Sequence, residues 1–265
     1  MRVLHICLAV CISVMALAAG KGRVTEPARA AQALDVKLVL AADVSRSIND
    51  AEFDLQRRGY AAAITNPRVL DAIRAGRHGA IAVCFLEWAG EAEQKTVVDW
   101  TLIGDGDDAR KFAAALLEAP RSYVGRTAIG SAIDFSMAVL GESALVSDRV
   151  VIDVSGDGTN NQGRSVTDAR DAAVSAGVTI NGLSIFNQRA AQEGGYLALH
   201  TNPPGGIDKY YRENVIGGFG SFVLRIDDFK DFDEAMILKL VTEISGVPTR
   251  PPSHVGIRKR NGDSG

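Results

Sequence analysis

Apolar and polar positions fall in blocks along the chain, and each block has a length and a period. Val36 to Ala42 is apolar apart from Lys37, which reads as a buried strand. Asn49 is then a good helix cap, with Glu52 placed to reach back to it. Phe53, Gln56, Tyr60 and Ile64 follow at helical spacing until Pro67 closes the region. Ala80 to Leu86 is a second apolar strand, and Thr96 to Ile103 a third, with polar interruptions that suit an edge. Asp108 to Glu118 reads as a helix stopped by Pro120. Another runs from Thr127 to Leu140, with Ile129, Ile133, Met137 and Leu140 on one face and Gly141 as its stop.

The same alternation continues. Val150 to Val154 is a strand, and Ser165 with Asp168 opens a helix that ends at Gly177. Val178 to Phe186 is a strand, Tyr210 to Val215 a short helix, and Ser221 to Ile226 the last strand. Phe232, Met236, Leu240 and Ile244 mark a final helix closed by Gly246. Strands alternating with helices from Val36 to Ile244 predict an α/β fold. It is doubly wound, with a mostly parallel central sheet, one antiparallel edge strand and helices on both faces. Ligands of such sheets sit beyond the carboxyl ends of the strands, so the loops after the strands are where function belongs.

Composition changes this picture little. With 265 residues, 46% hydrophobic and 23% charged, the chain can bury a core without disulfide or metal staples. Its N-terminus adds more. Arg2 precedes an apolar run from Val3 to Leu17, and Ala16-Leu17-Ala18 is a small-x-small cleavage pattern. Residues 1–18 are therefore expected to be a signal peptide, making the protein periplasmic or secreted; a membrane would be a partner only if that segment stayed uncleaved. Residues 19–34 read as a flexible leader, 35–247 as the folded domain and 248–265 as a disordered tail. Cleavage leaves Cys84 as the sole cysteine, which removes any intramolecular disulfide. The formal net charge is −3, and losing Arg2 makes it more negative, so no nucleic-acid partner is expected.

Three stretches carry clustered oxygen ligands at the expected places. They are Asp43-Val44-Ser45-Arg46-Ser47 after the first strand, Gly125-Arg126-Thr127 before a middle helix, and Ser155-Gly156-Asp157-Gly158 after a later strand. Each alone is a cap or a turn. Together they resemble the von Willebrand factor A domain with its metal-ion-dependent adhesion site, and the order of strands and helices matches over nearly the whole chain after the leader. Glu87-Trp88-Ala89-Gly90 and the stretch from Tyr210 to Gly218 add a likeness to exported bacterial members without a settled biochemical role.

The resemblance implies a VWA/Rossmann-like fold and a metal site of Asp43, Ser45, Ser47, Thr127 and Asp157. It implies Mg²⁺ (or Mn²⁺) as the ion and a protein ligand with an acidic side chain as the partner. The residue types suit that role. Hydroxyls are neutral oxygen donors, so an ion held by them stays electrophilic, while the aspartates can orient its waters. Arg46 replaces the more usual glycine between the serines. With Arg126 it is a candidate second contact to an acidic partner, against the plainer reading of an exposed cation.

Two other functions fit less well. A Mg²⁺-dependent phosphoesterase of Rossmannoid type also places an aspartate after its first strand, but needs a second carboxylate where Ser45 stands. A structural protein whose metal braces loops is the other. Gly262-Asp263-Ser264-Gly265 has no chain after it to build a protease pocket. His78, His200 and His254, widely separated beside a single cysteine, argue against zinc. Gly217-Gly218-Phe219-Gly220 precedes a strand rather than a helix and reads as a turn. Gln188 to Asp208 is a long connection, either a recognition loop or an insertion.

Overall fold

The computed structural model describes residues 33–246; the expected signal segment, the leader up to residue 32 and the tail lie outside them. The strands are β1 (Leu34–Asp43), β2 (Ile81–Trp88), β3 (Gln94–Ile103), β4 (Ser147–Gly156), β5 (Thr179–Ile185) and β6 (Val223–Ile226). They form one sheet in the order β3-β2-β1-β4-β5-β6. Every neighbouring pair is parallel except β2 with β3, which puts the antiparallel strand at an edge as its polar interruptions predict.

The helices are α1 (Asp50–Ile64), α2 (Pro67–Arg74), α3 (Gly106–Glu118), α4 (Ile129–Glu142), α5 (Val166–Ser175), α6 (Gln188–Glu193), α7 (Gly195–Thr201), α8 (Ile207–Tyr210) and α9 (Phe232–Ser245). Strand periodicity divides them between two faces. Leu38, Leu40 and Ala42 of β1 pack with Tyr60, Ile73, Phe112 and Phe232, so α1, α2, α3 and α9 cover one side. Val39 and Ala41 pack with Ile129, Ile133, Ala169 and Ile207, so α4, α5 and α8 cover the other. A central strand buried on both faces has to be continuously apolar, as β1 is through its middle from Val36 to Ala42. Its exception, Lys37, sends its ammonium to the Leu140 carbonyl, 3.3 Å away, near the Trp100 ring.

Local chemistry accounts for most boundaries. Asn49 and Glu52 form the capping box of α1. Pro67 does not close a helical region but opens α2 at its first turn, with Asn66 as the cap, because a proline lacks the N–H that this position would leave unsatisfied. The connection from Gln188 to Asp208 folds into α6, α7 and the start of α8 rather than remaining a loop. Tyr211–Val215 continues α8 as a single π-helical turn, and Gly246, at φ 62°, closes α9.

Candidate metal centre

The carboxyl ends of β1 and β4 lie side by side, with Ala42 in register with Ser155. The chain therefore leaves both strands at one point, and Asp43 and Asp157 emerge together. Gly156 permits the close fit, since a Cβ there would stand 2.6 Å from the Tyr211 hydroxyl and 2.8 Å from Asp43 Oδ2.

Asp43 sets the next turn. Its Oδ1 accepts from the Ser45 amide at 2.7 Å, which bends the chain and brings the Ser45 and Ser47 hydroxyls to 3.1 Å from each other. Arg46 between them is exposed. Its amide donates to the Gly125 carbonyl at 2.9 Å, joining this loop to the one that carries Thr127. Thr127 precedes α4, which starts two residues later than its periodicity predicts, and α4 has no side-chain cap. The threonine hydroxyl instead faces Ser45 Oγ at 3.3 Å. Ser47 Oγ donates to Asp157 Oδ1 at 2.6 Å. Asp43, Ser45, Ser47, Thr127 and Asp157 thus form one cluster, none more than 2% exposed. Arg46 and Arg126 stand exposed on its rim.

The supporting residues carry little sequence signal. The Arg121 guanidinium donates to the carbonyls of Val44 and Ile48, each at 2.8 Å, and of Ser45 at 3.2 Å, fixing the serine loop from below. Asn187 donates to Asp157 Oδ2 at 2.7 Å and to the Ser47 carbonyl at 3.0 Å, and Arg189 adds a bond to the same carbonyl at 2.6 Å. Glu87 holds the loop before Thr127, accepting from the Ser122 amide at 2.8 Å while Arg57 pairs with its other oxygen. His200 of α7 lies over Thr127, its Nε2 3.0 Å from Thr127 Oγ1 and its Nδ1 3.0 Å from Thr159 Oγ1.

The donor set fits a small divalent cation on two counts. Asp43 Oδ2 is buried with no hydrogen-bond partner, an expensive state for a carboxylate oxygen. The two buried acids also face each other across hydroxyls, with Arg121 spent on carbonyls. Burial and then the Asp157 charge push the Asp43 pKa up to about 8, against the pull of the Ser45 bonds. Burial pushes Asp157 up to about 6, opposed by bonds from Asn187 and Ser47. A cation among the hydroxyls would stabilise both ionised forms. Burial also holds the His200 pKa below its usual value, favouring the neutral ring.

A separate group of potential metal-ligating residues, Asp35, His78 and Asp148, lies at the opposite end of the sheet. Asp35 there accepts from the amides of His78 and Ala80, so it already closes a turn and β-strand entry, and His78 pairs with Asp148 at 3.1 Å. Nothing in it belongs to the hydroxyl cluster.

A mostly parallel sheet with an antiparallel edge, helices on both faces and hydroxyl-carboxylate loops where β1 and β4 end define a von Willebrand factor A-type fold. Solved structures agree. Proximal thread matrix protein 1 from the mussel byssus matches with TM-score 0.52 and 16% identity over 80% of this chain and 46% of that one. A form of it with a zinc-occupied adhesion-site motif matches with TM-score 0.51, 16% identity, and coverage of 78% and 46%. The pilus adhesin SpaC from Lactobacillus rhamnosus GG matches with TM-score 0.55 and 13% identity over 82% of this chain and 30% of that one. This chain thus corresponds to about half or less of the length of these structures. No curated protein matches the sequence. Within the fold, the chain belongs to the family described as "Protein of unknown function (DUF1194)", whose model matches residues 33–248.

Proposed function

We propose that the protein is an exported, non-enzymatic binding module that captures an acidic group of a protein partner through a divalent ion, Mg²⁺ or a chemically related metal. The observation that carries this reading is the buried cluster of Ser45, Ser47 and Thr127 between two aspartates, with Asp43 Oδ2 left without a partner. Neutral hydroxyls leave a bound ion much of its charge, and a carboxylate from outside can then complete its coordination. Arg46 and Arg126 beside it suit the same acidic group. A pilus adhesin and a byssal thread matrix protein among the structural neighbours favour adhesion or scaffolding over catalysis. So does Ser45, which cannot act as the proton-carrying carboxylate that a phosphoesterase would need two residues after Asp43. Among the described residues no helix is long and apolar enough to cross a membrane.

The test is affinity capture from an exported-protein extract, in Mg²⁺ and in EDTA, with wild type, Asp43→Ala and Arg46→Ala. A partner retained by wild type in Mg²⁺, released by EDTA and lost in Asp43→Ala supports capture. Arg46→Ala should weaken that partner about tenfold while leaving ion affinity unchanged, as loss of one charge-assisted contact does. Ion binding with no ion-dependent partner would instead favour a loop-bracing metal.

A further inference from the structure

We propose that His200 is a direct ligand of the same ion, so that this site takes a nitrogen donor from its own chain and selects a borderline transition ion such as Zn²⁺ over Mg²⁺. The inference rests on the reading of the hydroxyl cluster as a metal centre and adds the identity of the ion.

The geometry begins with the donor atoms. His200 Nε2 lies 3.0 Å from Thr127 Oγ1, Thr127 Oγ1 lies 3.3 Å from Ser45 Oγ, and Ser45 Oγ lies 3.1 Å from Ser47 Oγ. Adjacent donors around an octahedral ion with bonds of about 2.1 Å stand about 3.0 Å apart. Hydrogen-bond lengths and coordination edges coincide here, so the imidazole and the hydroxyls can exchange one for the other with little movement. His200 is thereby the next member of the series that the two serines and the threonine begin.

Its ring also presents the right nitrogen. Asn161 Oδ1 accepts from the Thr127 amide at 3.0 Å, which fixes the side-chain amide so that its Nδ2 is the group facing His200 Nε2, at 3.4 Å. A donor aimed at Nε2 requires a lone pair there. The proton then sits on Nδ1, where Thr159 Oγ1 accepts it at 3.0 Å. This is the arrangement of a metal-binding histidine: one nitrogen free toward the ion, the other held by a hydrogen bond that fixes tautomer and ring plane.

The surrounding chain is cut to hold the ring. A Cβ on Gly158 would stand 2.4 Å from His200 Nε2, so a residue next to Asp157 is bare where the imidazole lies. The Thr159 amide donates to the His200 carbonyl at 3.2 Å, and Tyr196 stacks on the outer side with ring planes 6° apart. His200 is 7% exposed. Imidazole suits Zn²⁺ and its first-row neighbours, whereas Mg²⁺ prefers oxygen and keeps its waters. The wide sequence separation of the histidines does not bear on this site, because its oxygen ligands come from the loops after β1 and β4 and before α4, and α7 supplies the nitrogen.

The experiment is calorimetric titration of the full chain with Mg²⁺, Zn²⁺ and Co²⁺. All proteins carry His78→Ala, to silence the group at the far end of the sheet. Affinity for Zn²⁺ alone decides nothing, since it exceeds that for Mg²⁺ at many sites. The change in ratio does. His200→Ala should lower Zn²⁺ and Co²⁺ affinity by about tenfold or more and Mg²⁺ affinity by less than about threefold. Gly158→Ala, which expels the ring without deleting it, should show the same selective loss. Should either variant unfold, ¹⁵N spectra of the His78→Ala protein decide: Zn²⁺ must shift the His200 Nε2 resonance. Equal loss of both ions in folded variants, unchanged Zn²⁺ affinity, or a stationary His200 resonance overturns the proposal. If Mg²⁺ still binds and depends on Asp43, the metal-centre reading survives that failure. A chain that binds no divalent ion at all overturns both.

Discussion

Among the described residues, two places bury a pair of carboxylates, and they are treated in opposite ways. Beneath α9, Asp153 and Glu243 lie in the interior with Lys239, which is 0% exposed. Its ammonium stands 2.9 Å from Asp153 Oδ1 and pairs with Glu243 as well. Burial works to lower the Lys239 pKa, but its two acidic neighbours raise it overall, so the cation is permanent. Beyond the strands, Asp43 and Asp157 are just as buried, yet the nearby cations Arg121 and Arg189 donate to carbonyls or pair elsewhere. A chain that supplies its own counter-charge in one place and omits it in another meets the condition that the proposed capture of a cation requires.

Breaking the first pair should have the largest effect. Lys239→Met leaves two buried acids without a cation and should cost about 3–5 kcal/mol in urea unfolding. A loss below about 1 kcal/mol would show that the two regions are not opposites.

The second region should respond to ions rather than to its own removal. A divalent ion at a hundredfold its dissociation constant should stabilise the wild type by about 2.7 kcal/mol and Asp43→Asn hardly at all. Thermal unfolding in ion and in EDTA reads both. In EDTA alone, Asp43→Asn should match or exceed the wild type near neutral pH, because the wild type must take up a proton to bury Asp43 and asparagine is already neutral.

The pH dependence gives the sign. Asp43 has a folded pKa of about 8, against about 3.9 in an unfolded chain. The folded state thus holds its proton more tightly, and this contribution is full below the unfolded value and lost as pH rises through 8. Asp157, at about 6, and Asp153, raised to about 7 by burial, act in the same direction in both proteins. The difference between wild type and Asp43→Asn in EDTA reads Asp43 together with its coupling to Asp157. Wild-type stability relative to the variant should fall between pH 5 and pH 9, and a flat difference would contradict the assignment.

The sheet and the five clustered residues were legible in the sequence because each follows a strand or precedes a helix whose periodicity is strong. Thr127 was legible as a residue but not in its local role: its position before Ile129 reads as a helix start, whereas its hydroxyl turns toward Ser45. Pro67 was ambiguous because one property, a missing N–H, both ends helices and begins them. The supports were not legible. Arg121 and Arg189 bind main-chain carbonyls, and such partners leave no mark on residue types. His200 lies 73 positions from Thr127 in sequence. It rides on α7, a seven-residue helix too short to show a clear apolar period.

The bond from the Arg46 amide to the Gly125 carbonyl joins the two loops through atoms that every residue but proline can supply. The side chains of Arg46 and Arg126 are therefore free of any duty in holding the loops together. Mutation can rewrite both positions while the hydroxyl cluster stays as it is, so on the proposed reading the grip on an ion and the choice of what it meets can vary independently.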